Sequence, residues 1–154
     1  MKYRTLGRTG LDVSVVSLGT GGPSRIGQRT HADEQQSHRV IHRALDLGIN
    51  LIDTAANYSD SEEILGRALK DVPRDRYFIA TKFDPDPNDN DEIISPEQLV
   101  ASCERSLERL GCETIDIFQF HGLVPSNYRQ AVDTLYPTME MLRDAGKIRF
   151  IGVT

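Results

Sequence analysis

The stretch Asn50-Leu51-Ile52-Asp53-Thr54-Ala55-Ala56-Asn57-Tyr58-Ser59-Asp60-Ser61-Glu62 decides how the chain is read. It starts as a short apolar strand, Asn50–Thr54, that carries an aspartate. It continues through a polar loop with a tyrosine five positions later. It ends at Asp60 and Ser61, residue types that cap helices. A carboxylate in a strand and a phenol on the loop that follows it suit proton chemistry at the mouth of a barrel.

On the N-terminal side, Tyr3 to Val16 alternates polar and apolar residues around Gly7 and Gly10, which predicts a small hairpin. The first strand is then Val15-Val16-Ser17-Leu18-Gly19, broken by Thr20-Gly21-Gly22-Pro23-Ser24. A polar loop leads to a helix from Asp33 to Leu47, whose face is Val40, Ile41, Ala44 and Leu45. Thr30 is the candidate cap, and Gly48 stops the helix.

On the C-terminal side, a second helix runs from Glu62 to Lys70, and Pro73 precedes the strand Tyr77–Phe83. An acidic, proline-broken loop, Asp84 to Asp91, separates that strand from a third helix. This helix opens with the capping box Ser95-Pro96-Glu97-Gln98 and closes at Gly111. The strand Ile115–His121 follows. A fourth helix lies between Tyr128 and Ala145, and Pro137 either starts its better part or kinks it. The last strand is Arg149–Val153.

Strict alternation of strands and helices implies a parallel sheet with right-handed crossovers. No GxGxxG follows the first strand, which disfavours a doubly wound dinucleotide fold. The expected fold is therefore α/β, of the (β/α)8 TIM-barrel type. A full barrel takes roughly 250 residues. This chain, read as one partial domain over residues 1–154, supplies a hairpin, five parallel strands and four helices, about the first half.

Composition narrows the partners. The net charge is −5, with no basic block, which argues against nucleic acid or an anionic membrane surface. No apolar run reaches the roughly 18 residues of a membrane span, and the first residues lack a signal-peptide apolar region. Cys103 and Cys112 are the only cysteines, neither in a CxxC pair, so reduced thiols in the cytoplasm are expected.

Three strands end in a reactive group: Asp53, Lys82 and His121. Taken singly, each has an ordinary reading as a turn cap, a solvated rim residue or a structural hydrogen-bonding residue. Together they come from consecutive βα units at the same topological end, where barrel active sites sit. Period-2 alternation puts Leu51, Asp53 and Ala55 on one side of their strand. It does the same for Phe78, Ala80 and Lys82, and for Ile115, Ile117, Gln119 and His121. Tyr58 can lean over the group. A phenol has a pKa of roughly 10, which a nearby ammonium is expected to lower, while a carboxylate holds that ammonium in place. This is a general-acid site suited to carbonyl reduction with hydride from a cofactor. Arg25 and Arg29 fall in the loop after the first strand. A solvated loop is the favoured reading, and contact with an acidic substrate is the alternative.

The stretch from Gly48 to Glu62 resembles the first signature of the aldo/keto reductases, G-x-x-x-x-D-T-A-x-x-Y-G-x-S-E, with Ser59 in place of glycine. Leu99 through Ser106-Leu107-Glu108-Arg109-Leu110-Gly111 to Ile115-Asp116 and His121 is similar to the second. Ala145 to Thr154 resembles the GK-x-R-x-x-G-V-S segment, with Thr154 for serine. The resemblance implies NADP(H) as cofactor and a small-molecule carbonyl as substrate. It implies Tyr58 as general acid, Lys82 as its partner, Asp53 in support of Lys82, and His121 orienting the carbonyl. It also implies cofactor contacts at Gly19, Thr20, Gly21, Asp53 and Thr154. A half-barrel leaves strand edges open, so self-association through those edges is expected if the chain stands alone. A self-associating half-barrel and a non-catalytic relic remain the alternatives to a truncated reductase.

Overall fold

The computed structural model describes residues 1–88 and 92–154, so the last three residues of the acidic loop, 89–91, lie outside the described residues. Strands β1 (Tyr3–Thr5) and β2 (Asp12–Ser14) pair antiparallel. The chain then runs β3 (Leu18–Gly19), α1 (Glu34–Asp46), β4 (Leu51–Asp53), α2 (Ser61–Leu69), β5 (Phe78–Phe83) and α3 (Pro96–Leu110). It ends with β6 (Ile115–Phe120), α4 (Pro125–Thr134), α5 (Tyr136–Asp144) and β7 (Ile148–Val153). Strands β3 to β7 form one parallel sheet in sequence order, the arrangement of a partial β/α barrel.

Two helix boundaries differ from the sequence reading for local reasons. Thr30 does not cap α1. It ends a short 3-10 turn, where its Oγ1 donates to the Gly27 carbonyl. Asp33 caps instead, its side chain accepting from the Gln36 amide at 2.6 Å. The single fourth helix is two helices, making five. Pro137 stands in the first turn of α5, where its missing N–H costs nothing. Inside a continuous helix its ring would clash with the carbonyl of Asp133. The α3 capping box forms as the sequence predicts, with Ser95 and Gln98 bonding reciprocally and Gly111 in the left-handed region. Val15 and Val16 lie outside β3 and are exposed.

The sheet has two apolar faces. Ile52, Ile79, Phe118 and Phe120 join the helical residues Ile41, Leu65, Leu99, Cys103 and Met139 in the larger cluster. Each such side chain contributes about 1.5–3 kcal/mol on burial. On the other face Ala80 and Ile117 pack with Leu51, Phe78 and Phe150 against Leu11 and Val13 of the hairpin. The hairpin thus covers the inner face at the N-terminal ends of the strands. Asn50 fastens it there: its side chain accepts from the Ser14 amide at 2.7 Å and donates to the Asp12 carbonyl at 2.9 Å. Ile115 is an exception to the expected alternation, since it belongs to the helix-side cluster rather than with Ile117. Asp116 lies between them, buried, and takes the Ile79 amide together with Arg74 and Arg149.

Helices α2 and α3 approach closely at Gly66, where a Cβ would stand 2.1 Å from the Arg109 carbonyl oxygen. Beside it the buried Glu62 accepts from Thr81 at 2.7 Å and from Arg109 at 3.3 Å. This contact locks the start of α2 onto β5. It thereby fixes the C-terminal end of the loop that carries Tyr58.

Candidate active site

Register brings the strand-end groups together. Gly19 is the partner of Asp53, and Lys82 is the partner of Gln119. His121 follows β6 directly, and its amide donates to the Phe83 carbonyl at 2.9 Å. Lys82 is 4% exposed, and its Nζ donates to Asp53 Oδ1 and to the Thr54 carbonyl, both at 2.7 Å. The Asp53 side chain is 36% exposed, which leaves its second oxygen open to a ligand.

Tyr58 sits on a loop strapped to the strand ends. The Ala56 amide donates to the Lys82 carbonyl, the Tyr58 amide to the Ala55 carbonyl, and the Ser61 amide to the Tyr58 carbonyl. The Tyr58 ring meets His121 edge-on, with centroids 5.6 Å apart and an interplanar angle of 79°. Lys82 Nζ is 5.2 Å from the Tyr58 centroid. All four strand-end and loop residues singled out by their spacing are therefore neighbours.

The electrostatics differ from the sequence expectation in one respect. The phenol of Tyr58 is raised above its ordinary value, not lowered. Burial is the largest cause, followed by the carboxylate of Asp53, and Arg25 opposes them. Lys82 directs two short hydrogen bonds at Asp53 and Thr54, so its charge is largely compensated before it reaches the phenol. The imidazole of His121 is held below its ordinary value by burial first and by Lys82 second, against Asp84 and Asp53. It is therefore neutral at pH 7 and keeps one N–H to donate.

Ser59 has φ 52°, a left-handed conformation that costs a residue with a side chain roughly 1–2 kcal/mol. This is the physical reason for glycine at that place in the signature. Ser59→Gly is expected to stabilise the fold by about 0.5–1 kcal/mol, after the extra chain entropy of glycine is subtracted. A thermal melt showing no gain, or a loss, would contradict the strain argument.

The first-strand loop lies against the same cluster. The Thr20 amide donates to the Asp53 carbonyl at 2.9 Å. Gly19 has open space over its Cα, whereas a Cβ on Gly21 would stand 2.5 Å from Tyr58 Cε2 and 2.7 Å from Cζ. Thr20 Oγ1 and Thr54 Oγ1 are buried and unpartnered, as is His121 Nδ1. Thr154 stands three strands away from Asp53 at the same end of the sheet, where it pairs with Phe120. The open oxygen of Asp53 and the space over Gly19 could hold the ribose end of a dinucleotide, whereas the fully buried Thr20 does not reach the surface there.

Sequence reasoning passed over the strength of one contact. The Arg25 guanidinium lies 4.7 Å over the Tyr58 ring, and its Nη1 donates to the Asn57 carbonyl at 3.1 Å. The neighbouring Ile26, a buried apolar residue in a polar loop, was the available signal that this loop folds inward.

A concavity of about 980 Å³ lies elsewhere, at the N-terminal end of the strands around Arg74, Asp116 and Arg149. Its buried carboxylate, Asp116, is saturated by two arginines and an amide. A smaller cleft of about 210 Å³, between Asn57, Asp84 and His121, opens at the C-terminal end of the strands.

The aldo/keto reductase family model matches residues 16–154. The aldo-keto reductase YhdN of Bacillus subtilis is 39% identical over all of this chain and 47% of its own length. The NADH-specific methylglyoxal reductase of Escherichia coli is 34% identical over 99% of this chain and 51% of its own length. A crystal structure of an aldo-keto reductase from Klebsiella pneumoniae in complex with NADPH superposes with TM-score 0.75 at 28% identity. It covers 99% of this chain and 49% of that one. The chain spans about half the length of the curated relatives it matches.

Proposed function

The chain belongs to the aldo/keto reductase family, and on that premise we propose that Asp53, Tyr58, Lys82 and His121 form the acid–base centre of a site that reduces an aldehyde or ketone to an alcohol. The observation that carries this reading is the Lys82–Asp53 contact of 2.7 Å beneath a tyrosine that meets His121 edge-on. The bound nicotinamide cofactor, NADP(H) in our reading, supplies the hydride.

The chain's own residues do the rest. Neutral His121 donates a hydrogen bond to the carbonyl oxygen and fixes its direction. Tyr58 protonates that oxygen as negative charge builds on it. Lys82, held by Asp53, faces the Tyr58 ring, and Arg25 is the cation that opposes the rise of the phenol. Gly19 and the open oxygen of Asp53 would hold the nicotinamide-ribose end, with Thr20 buried behind them, and Thr154 would contribute from just beyond β7. Residues 1–154 act as one partial domain in this reading, and the free cysteines fit a cytoplasmic protein. No helix among the described residues is long and apolar enough to cross a membrane.

Loss of nicotinamide absorbance, followed with NADPH and with NADH over a panel of aldehydes and ketones, tests the proposal. No turnover with either cofactor on any carbonyl would remove it. Strands β3 and β7 are each paired on one side only, which favours a second reading in which two copies meet through those edges. A monomeric mass in solution would exclude that reading.

The raised Tyr58 value sets the pH dependence. Reduction needs the protonated phenol, which persists up to the raised value. The rate is expected to stay flat through neutrality and fall only above the ordinary tyrosine range. Alcohol oxidation needs the phenolate and is expected to rise with pH over the same interval. A reduction rate that falls with pH already near 8 would show that another group gives the proton.

A further inference from the structure

We propose that Arg25 makes this site selective for carbonyl substrates that carry an anionic group, a carboxylate or a phosphate, a few bonds from the carbonyl. The inference rests on the reductase reading of the site and adds the substrate class.

The loop that presents Arg25 is built rather than loose. The Ile26 side chain is buried, and its carbonyl accepts from Ser37 Oγ at 2.7 Å. Gln28 Nε2 donates to the Arg25 carbonyl at 2.8 Å and to Ser61 Oγ at 3.0 Å, and Gln28 Oε1 accepts from the Asp60 amide at 3.0 Å. Arg25 and Ile26 both take positive φ, 48° and 51°. Two consecutive left-handed residues with side chains are costly unless the surroundings hold them, and here hydrogen bonds to α1 and α2 do so.

The side chain so placed is a guanidinium without a counter-charge. Among the described residues Arg25 forms no ion pair. Its Nη1 is committed to the Asn57 carbonyl, while its Nε is covered and has no partner. Among the described residues Nη2 makes no hydrogen bond, and it is not covered, so it is the donor that can reach a carboxylate or phosphate oxygen. That donor belongs to a group 4.7 Å from the centre of the Tyr58 ring, so an anion held there lies beside a carbonyl held by Tyr58 and His121. Asp53 does not compete, since Lys82 takes it, and Asp84 and Asp86 line the cleft on the His121 side. A neutral substrate offers Nη2 no charged acceptor and gains nothing from the guanidinium.

The test compares matched pairs on the purified protein: succinic semialdehyde with butanal, and glyceraldehyde 3-phosphate with glyceraldehyde. Both dissociation constants and KM values are read, for the native protein, Arg25→Met and Arg25→Lys. The anionic member of at least one pair is expected to bind roughly 10–100-fold tighter than its neutral partner, and the pair that discriminates distinguishes carboxylate from phosphate. Arg25→Met is expected to abolish that preference, read as the ratio of dissociation constants within each pair, and Arg25→Lys to restore part of it. Equal affinity within both pairs, a preference that survives Arg25→Met, or an equal loss for both members would overturn the proposal. Tyr58→Phe separates this inference from the one beneath it. If reduction survives in that variant, the proton-donor assignment fails, while the charge preference measured by binding still stands or falls on Arg25.

Discussion

Tyr58→Phe is expected to lower carbonyl reduction by roughly 100- to 10,000-fold, the usual share of a positioned general acid. The variant keeps the ring and therefore the edge-on contact with His121 and the stacking under Arg25. It removes only the hydroxyl. The neighbouring groups are poorer proton donors: Lys82 directs two of its three N–H donors to Asp53 and Thr54, and the His121 imidazole is held below its ordinary value. Cofactor affinity, read by quenching of nicotinamide fluorescence, should change little, because the phenol is not among the groups assigned to the ribose end. The loss should fall on kcat and kcat/KM together, the sign of an interaction made in the transition state. Reduction at the native rate would show that the proton comes from elsewhere and would undo the role given to Tyr58.

Much of the architecture could be read from the chain because its signals are local. Ser95-Pro96-Glu97-Gln98 specifies a helix start through contacts within four residues, and the structure contains them. The strand ends Asp53, Lys82 and His121 could be placed on one face because alternation and parallel register are regular there. Where a contact joins distant segments, the pattern was silent or misleading. Thr30 and Asp33 are both good caps, and only the 3-10 turn that takes up Thr30 decides between them. Pro137 is compatible with a kink or a start until the chain is seen to break at Leu135. Ile115 leaves the inner face because Asp116 is drawn into a buried contact with Arg74 and Arg149. The Tyr58 phenol rises rather than falls because burial and Asp53 outweigh Arg25, while Lys82 is already paired with Asp53. Arg25 is the clearest case. Its loop carries no periodicity, and its position depends on Gln28 reaching Ser61 and Asp60, more than 30 residues away.

The same long-range packing makes Gly21→Ala a severe change at a residue that does no chemistry itself. An added Cβ would stand 2.5 Å from Tyr58 Cε2 and 2.7 Å from Cζ, well inside any tolerable carbon–carbon separation. One partner must move. The Thr20 backbone beside Gly21 is tied to Asp53, and the Thr20 carbonyl also accepts from Ser61 Oγ at 3.2 Å, so the strand end is the stiffer side. The ring, which has no hydrogen bond of its own among the described residues, is the softer one. Displacing its hydroxyl by about 1 Å is expected to lower reduction roughly 100-fold, the usual effect of that much misalignment of a reacting group. Two measurements separate this from general damage. The spectroscopic titration of Tyr58 should shift, since a ring pushed from its site loses the burial that raises its value. In a Tyr58→Phe background, Gly21→Ala should cost little further activity, because both changes disable one proton transfer and their effects cannot add. A full additional 100-fold loss in the double variant would mean that Gly21 serves the site by another route, such as direct contact with the cofactor.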